Sequence, residues 1–128
     1  MDKNLLNSLS QEIIGASIEV HSIIGPGMLE NIYSKALAYE LRLRGHKVEM
    51  EVPIPCIYKG VAMNTAYRAD LIVDDAIIVE LKATENDSPL YSKQLFSYLR
   101  LADKKLGLLI NFNRKRLIDG LTRVVNNI

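Results

Sequence analysis

The sequence predicts an α/β fold: a mixed central β-sheet flanked by helices, formed as a single domain over residues 1–128. Three observations carry this expectation. Helical periodicity fills residues 5–44. Strand-like alternation and short apolar runs fill most of residues 46–82. A third helical pattern and a further apolar run then follow, so helices and strands are interleaved in a way that favours a covered sheet. At 128 residues the chain has the size of one core, and 48% hydrophobic residues against 24% charged exclude disorder as the main state.

The elements follow in order. Leu6, Leu9, Ile13, Ala16, Val20 and Ile23 recur at spacings of three and four, which predicts a helix over 5–24. Gly25-Pro26-Gly27 interrupts it. A second helix is expected over 28–44, with Leu29, Ile32, Ala36, Leu37 and Leu41 as its buried stripe and Gly45 as its cap. Val48, Met50 and Val52 alternate with Lys47, Glu49 and Glu51, a half-buried strand, and Pro53 and Pro55 give it a bulge or an edge position. Ile57-Tyr58 suits a short strand turning at Lys59-Gly60. Strands over 66–73 and 76–82 are expected on either side of an Asp74-Asp75 turn. Ser88-Pro89 has the form of a helix start, and Tyr91, Leu95, Tyr98, Leu99 and Ala102 make the stripe of that helix. Residues 105–112 read as a covered central strand. Leu117, Leu121 and Val124 predict a last helix or helical turn.

Composition also bounds function. Cys56 is the only cysteine, so neither an internal disulfide nor a cysteine-based zinc site can form, and a reducing, cytoplasmic location is expected. It reads as a small buried hydrophobe. Two histidines, His21 and His46, exclude a histidine-rich metal site and read as surface or interface residues. No leader or membrane-spanning block is expected from the pattern. Formal net charge is only +1, but its distribution is uneven. From Arg68 to Asp87 there are six acidic and two basic residues; from Lys93 to Ile128 there are eight basic and two acidic, a net of +6. An acidic centre before a basic C-terminal third suits a metal site beside a polyanion surface; the plain alternative is a balanced, solvated surface.

The pattern with most chemistry is Asp70 followed by Glu80-Leu81-Lys82. Alternation along a strand puts Glu80 and Lys82 on one face. With Asp70 on the neighbouring strand, two carboxylates and an ammonium would converge, with Arg68 one step away on the same face, paired with Glu80 ahead of touching a phosphate. Clustered carboxylates repel unless a cation joins them. Oxygen ligands in small number suit Mg²⁺ or Mn²⁺ completed by water and phosphate. An ion-pair cluster at a strand end is the plain alternative, and spacing alone leaves it standing. Gly27, Glu30 and Tyr33 share one face of a helix start, where helix electrostatics favour Glu30 with or without chemistry. Tyr33 reads as a residue that orients Glu30 or packs on the sheet. Gln94 and Tyr98 share a helix face, and the Gln94 amide suits a phosphate, a water or Lys82, or simply the surface. Arg114, Lys115 and Arg116, with Lys104 and Lys105, could track a nucleic-acid backbone or remain solvated.

These motifs resemble a known family. The run from Tyr67 to Val73 followed by Ile78-Val79-Glu80-Leu81-Lys82-Ala83 is similar to the core of the PD-(D/E)XK nuclease superfamily, with Ala69-Asp70 where the name has proline-aspartate. Gly27-Met28-Leu29-Glu30-Asn31-Ile32-Tyr33 resembles the signature of the GxxExxY proteins within it, and the resemblance runs from about Ile13 to Val125. It implies a restriction-endonuclease-like fold, Asp70 and Glu80 as metal ligands joined by the Leu81 carbonyl, Lys82 as the catalytic lysine, Glu30 as a further active-site carboxylate and Gln94 as a polar active-site residue. It also implies Mg²⁺ or Mn²⁺ as cofactor and nucleic acid as partner, DNA ahead of RNA. Two rivals stay open: a non-catalytic nucleic-acid binder, and a structural or regulatory subunit. A homodimer would enlarge a surface that is small for wrapping a duplex. The apolar N-terminal helix is its candidate interface, or else covers the sheet.

Overall fold

The computed structural model describes residues 1–63 and 67–128. Its elements in order are helix α1 (Lys3–Ile24), helix α2 (Glu30–Leu43), strands β1 (Val48–Pro53), β2 (Cys56–Tyr58), β3 (Val61–Met63), β4 (Arg68–Val73) and β5 (Ile77–Lys82), helix α3 (Pro89–Ala102), strand β6 (Leu106–Asn111), a short 3₁₀ turn (Leu117–Gly120) and strand β7 (Leu121–Val125). The expected start of a strand at Ala66 lies outside the described residues.

Five strands form the sheet in the order β1-β4-β5-β6-β7. All neighbours run antiparallel except β5 and β6, which are parallel and joined through α3. The fully buried pattern of β6 matches its central place. β1, which ends at Pro53, is an edge. β2 and β3 form a separate hairpin turning at Lys59-Gly60. Its residues are mostly exposed, and Cys56 is half-buried there, not fully buried as expected.

Alternation along the strands divides the core into two layers. Leu71, Val73, Ile77, Val79, Leu81, Leu106, Leu108 and Ile110 pack under α1 and α2. Ile72, Ile78 and Leu109 pack on the opposite face under Leu95, Tyr98 and Leu99 of α3. Of the two roles open to α1, covering the sheet is the one its stripe of Leu6, Leu9, Ile13, Ala16 and Val20 fulfils. Each buried leucine, isoleucine or valine of that stripe is worth roughly 1.5–3 kcal/mol of transfer free energy, and Ala16 less. Asp2 caps α1 through a bond from the Leu5 N–H, and Ser88 caps α3 through one from the Leu90 N–H, with Pro89 first in the helix.

One expected element is different. The C-terminal segment is a 3₁₀ turn followed by an edge strand, not a helix. Leu121 and Val124 are three apart, an odd step that places them on opposite faces of a strand. Leu121 joins the layer under α1 and α2, and Val124 joins the layer under α3. A spacing that reads as helical thus serves two core layers at once. The turn before β7 closes on the backbone of β6: a Cβ on Gly120 would lie 2.1 Å from the Asn111 carbonyl oxygen, so only glycine fits.

The histidines also differ from expectation in part. His21 is buried, with Nε2 bonded to the Arg114 carbonyl at 2.8 Å. His46 bridges Asp74 at 2.7 Å and Glu12 at 3.1 Å. Among the described residues no helix is long and apolar enough to cross a membrane.

Candidate active site

The site begins where β4 and β5 part. Their ladder runs through Val73↔Ile77, Ile72↔Ile78 and Leu71↔Val79. Beyond Leu71, side chains take over the bonding between the two strands. The Asp70 N–H donates to Glu80 Oε1 at 3.0 Å, and the Leu81 N–H donates to Asp70 Oδ2 at 2.8 Å. Both strands stay extended because each has another neighbour: β4 pairs β1 through Ala69 and Arg68, and β5 pairs β6 through Glu80, Leu81 and Lys82. The two carboxyl groups come within hydrogen-bonding reach of each other.

A buried acid, Glu80, against a half-buried one, Asp70, cannot ionise cheaply while its neighbour is charged. Glu80, only 8% exposed, is pushed up to about 8, chiefly by burial and then by the charge of Asp70. Asp70 is also raised, again chiefly by burial, against the pull of the Leu81 N–H. At neutral pH and without a cation, a proton resides on the pair. Leu81, between Glu80 and Lys82 on β5, has its side chain fully buried.

Lys82 shares the face of Glu80, as alternation requires. Its Nζ sits 4.5 Å from the centre of the Tyr91 ring, a cation–π contact. Among the described residues it makes no ion pair, yet its charge lowers the pKa values of Asp70, Glu80 and Glu30. Glu30 opens α2. Burial of its carboxyl raises its pKa although the residue as a whole is exposed, Lys82 opposes the rise, and Asp70 adds to it.

The structure explains the spacing of Gly27, Glu30 and Tyr33. Tyr33 is fully buried, stacked on Phe112 at 4.5 Å. Its hydroxyl donates to the Gly25 carbonyl at 2.6 Å and accepts from the Met28 N–H at 3.0 Å. It therefore clamps the loop that delivers Glu30. Gly27 has φ +96°, and a Cβ there would meet nothing within 4 Å, so the demand is on backbone conformation alone.

On α3, Tyr98 is 6% exposed and lies near both carboxylates. Its phenol is pushed up to about 12, first by burial and then by Glu80, Tyr67 and Asp70. Gln94, half-buried, lines a hollow beside it. Arg68 is exposed and makes no ion pair among the described residues, so the expected pair with Glu80 does not form. The reason is that Glu80 is turned inward, onto the Asp70 N–H.

The basic residues are dispersed. Arg114 ion-pairs with Asp87 at 2.9 Å and donates to the Thr84 carbonyl, and Arg116 pairs with Asp119 at 3.0 Å. Lys115 is exposed at the same sheet end as Lys82, without an ion pair among the described residues. Lys104 and Lys105 are at the far end of β6, where Lys104 pairs with Asp75 at 3.1 Å and Lys105 donates to the Asn127 carbonyl.

Three features escape a reading of the sequence. Glu51 of β1 lies opposite Asp70, between the pairs Met50↔Leu71 and Val52↔Ala69, with φ +50°. Its charge adds to the rise of Asp70. Asn111, 2% exposed, holds the loop after β5 by bonds from its Nδ2 to Thr84 and Asp87. Tyr67 and Lys93 complete the hollow next to Gln94 and Tyr98. Glu51 had a visible signal as a carboxylate in a strand, and Tyr67 as the first residue of the run that resembles the superfamily core.

A family model for the PD-(D/E)XK nuclease superfamily matches residues 7–124, nearly the whole chain. The chain belongs to this superfamily. No curated protein and no solved structure matches it. The mixed five-stranded sheet with helices on both faces is consistent with the PD-(D/E)XK fold.

PD-(D/E)XK nucleases generally use divalent metals. The donor set at Asp70 and Glu80 fits such an ion, since two carboxyls that share a proton can share a cation instead. Among the described residues, no three His, Cys, Asp or Glu side chains gather closely enough to hold a metal. Glu30 lies near enough to feel the charges of Asp70 and Lys82. The protein offers two carboxylates, a number typical of Mg²⁺ sites completed by water and phosphate.

Proposed function

We propose that the chain is a metal-dependent nuclease that hydrolyses phosphodiester bonds, in DNA ahead of RNA. The observation that carries this reading is the pairing of buried Glu80 with half-buried Asp70 where the β4–β5 ladder ends, with Lys82 on the same face of β5 as Glu80. As an isolated cluster it is costly, and a cation removes the cost. Asp70 and Glu80 would hold the ion, with the Leu81 carbonyl as a backbone ligand. A bound divalent cation supplies charge stabilisation of the phosphoryl group and a more acidic water.

The chain's own residues supply the rest. Lys82, held by a ring and not by a carboxylate, has an ammonium left to offer a phosphate oxygen or the attacking water. Glu30, with its raised pKa, is suited to hold a water across from the pair. Tyr98 keeps its proton at neutral pH and can donate it in a hydrogen bond beside Glu80. Arg68 and Lys115, exposed and without ion pairs among the described residues, suit phosphate contact better than Arg114 and Arg116, which already hold partners. The preference for DNA rests on the superfamily alone.

The test is incubation of purified protein with single-stranded, duplex, flapped and branched DNA and with RNA, in Mg²⁺, in Mn²⁺ or with chelator. One substrate should be cut, and only with metal. Lys82→Ala should slow cutting about 100-fold or more. Cutting that survives both Lys82→Ala and Asp70→Ala would belong to a contaminant. Metal binding without cutting of any substrate would favour the non-catalytic nucleic-acid binder.

A further inference from the structure

Beside the carboxylate pair lies a hollow of about 280 Å³, lined by Tyr67, Leu90, Lys93, Gln94, Ser97, Tyr98 and Leu101. It is at the small end of ligand sites, which run from about 300 to 1,000 Å³, so it suits one small planar group. Tyr67 and Tyr98 form an angled pair, with ring centroids 5.8 Å apart and planes at 53°. Tyr98 is a nearly buried wall, whereas Tyr67 is 46% exposed and presents its ring to solvent. Leu90 and Leu101, 65% and 40% exposed, extend the apolar surface.

The polar groups are as selective as the apolar ones. No acidic residue lines the hollow. Lys93 is exposed and has no ion-pair partner among the described residues, and the Gln94 amide makes no hydrogen bond there. Ser97 Oγ donates to the Lys93 carbonyl at 3.1 Å and keeps its lone pairs for a donor on a ligand. An aromatic face, an amide and a hydroxyl at the edge, and one cation beyond them match a nucleobase with its phosphate. A duplex keeps its bases stacked and paired, so only an unpaired base could use such a hollow.

We propose that this hollow receives a single unpaired nucleobase adjoining the phosphate presented to Asp70 and Glu80, so that the substrate is single-stranded, or unpaired at the cut. This rests on the nuclease reading above, and its test separates the two. In chelator, affinity for a labelled single-stranded oligonucleotide and for the matched blunt duplex is measured by fluorescence anisotropy. The wild type should bind the single strand more tightly. Tyr67→Ala should weaken that binding on the order of tenfold, the size of one lost base-stacking contact, and Tyr67→Phe should restore it. Lys93→Ala should weaken it further at low salt than at high. Tyr39→Ala, an exposed tyrosine on α2, is the control and should change nothing. A preference for duplex, or Tyr67→Ala within twofold of the wild type, overturns the inference. Metal-dependent cutting alongside either result leaves the nuclease reading intact. Tyr67-dependent binding with no cutting of any substrate keeps the base site and removes the nuclease. No binding to either strand form overturns the base site.

Discussion

At the end of the sheet where β4 turns into β5, charge is answered by charge. His46 lies between Asp74 and Glu12, Lys104 reaches Asp75, and Asp74 also accepts from the Lys47 N–H at 2.8 Å. At the opposite end, two acids press on each other while Lys82, Arg68 and Lys93 have no ion pair among the described residues. The pKa directions follow: Asp75 is lowered by its bond to Lys104, whereas Asp70, Glu80 and Glu30 are all raised, chiefly by burial. The first arrangement is a self-sufficient fastening. The second is incomplete without something cationic among the acids and something anionic for the bases, which is the condition expected of a binding site.

The largest effect that could break this contrast is the pH dependence of stability in chelator. Glu80 titrates near 8 in the folded protein and near 4.5 when free. The folded state therefore holds a proton that the unfolded chain releases. Stability from this group is complete below about pH 4.5 and is lost as pH rises through about 8, by on the order of a few kcal/mol. Glu80→Gln keeps an oxygen for the Asp70 N–H and removes the ionisation. In urea titrations it should flatten the slope and exceed the wild type in stability at about pH 9. A wild-type curve that is flat across this range would contradict the assignment.

A smaller effect sharpens the other side of the contrast. Burial works against a charged His46, but its hydrogen bonds to Asp74 and Glu12 outweigh this and raise its pKa. The sign is such that its stabilisation is full below about pH 6.5 and fades as pH rises through the folded value. His46→Gln should cost up to about 1 kcal/mol under acidic conditions and nothing under alkaline ones. Equal losses at both extremes would mean that His46 acts through packing and not through charge.

Much of this was legible in the sequence because it is local. The stripe of α3, most of that of α1, the Asp74-Asp75 turn and the shared face of Glu80 and Lys82 follow from periodicity. By contrast, Ile23 at the end of α1 and Leu29 and Ile32 at the start of α2 are exposed, and the α2 core is Tyr33, Leu37, Ala38 and Leu41. What was not legible depends on long-range pairing. Arg114 and Arg116 read as a basic patch, and only the fold brings Asp87 to one and a 3₁₀ turn brings Asp119 to the other. The edge strand β7 hid behind a helical spacing because its two apolar residues serve different core layers. Glu51 looked like one of several solvent-facing carboxylates until the β1–β4 register set it opposite Asp70. The hollow needs Tyr67 from before β4 and Lys93 from α3, which no spacing rule connects.

If the Asp70–Glu80 pair holds a cation, as proposed, electron paramagnetic resonance should count one Mn²⁺ bound there. Asparagine and glutamine are the appropriate replacements. Alanine at position 70, which charge repulsion alone would make stabilising, would also strip the Leu81 N–H of its acceptor at about 1–3 kcal/mol. The wild type and Lys82→Ala should each bind the ion, and Asp70→Asn and Glu80→Gln should each lose it. An ion still bound in both carboxylate variants, or none bound by the wild type, would mean that the pair is not a cation site.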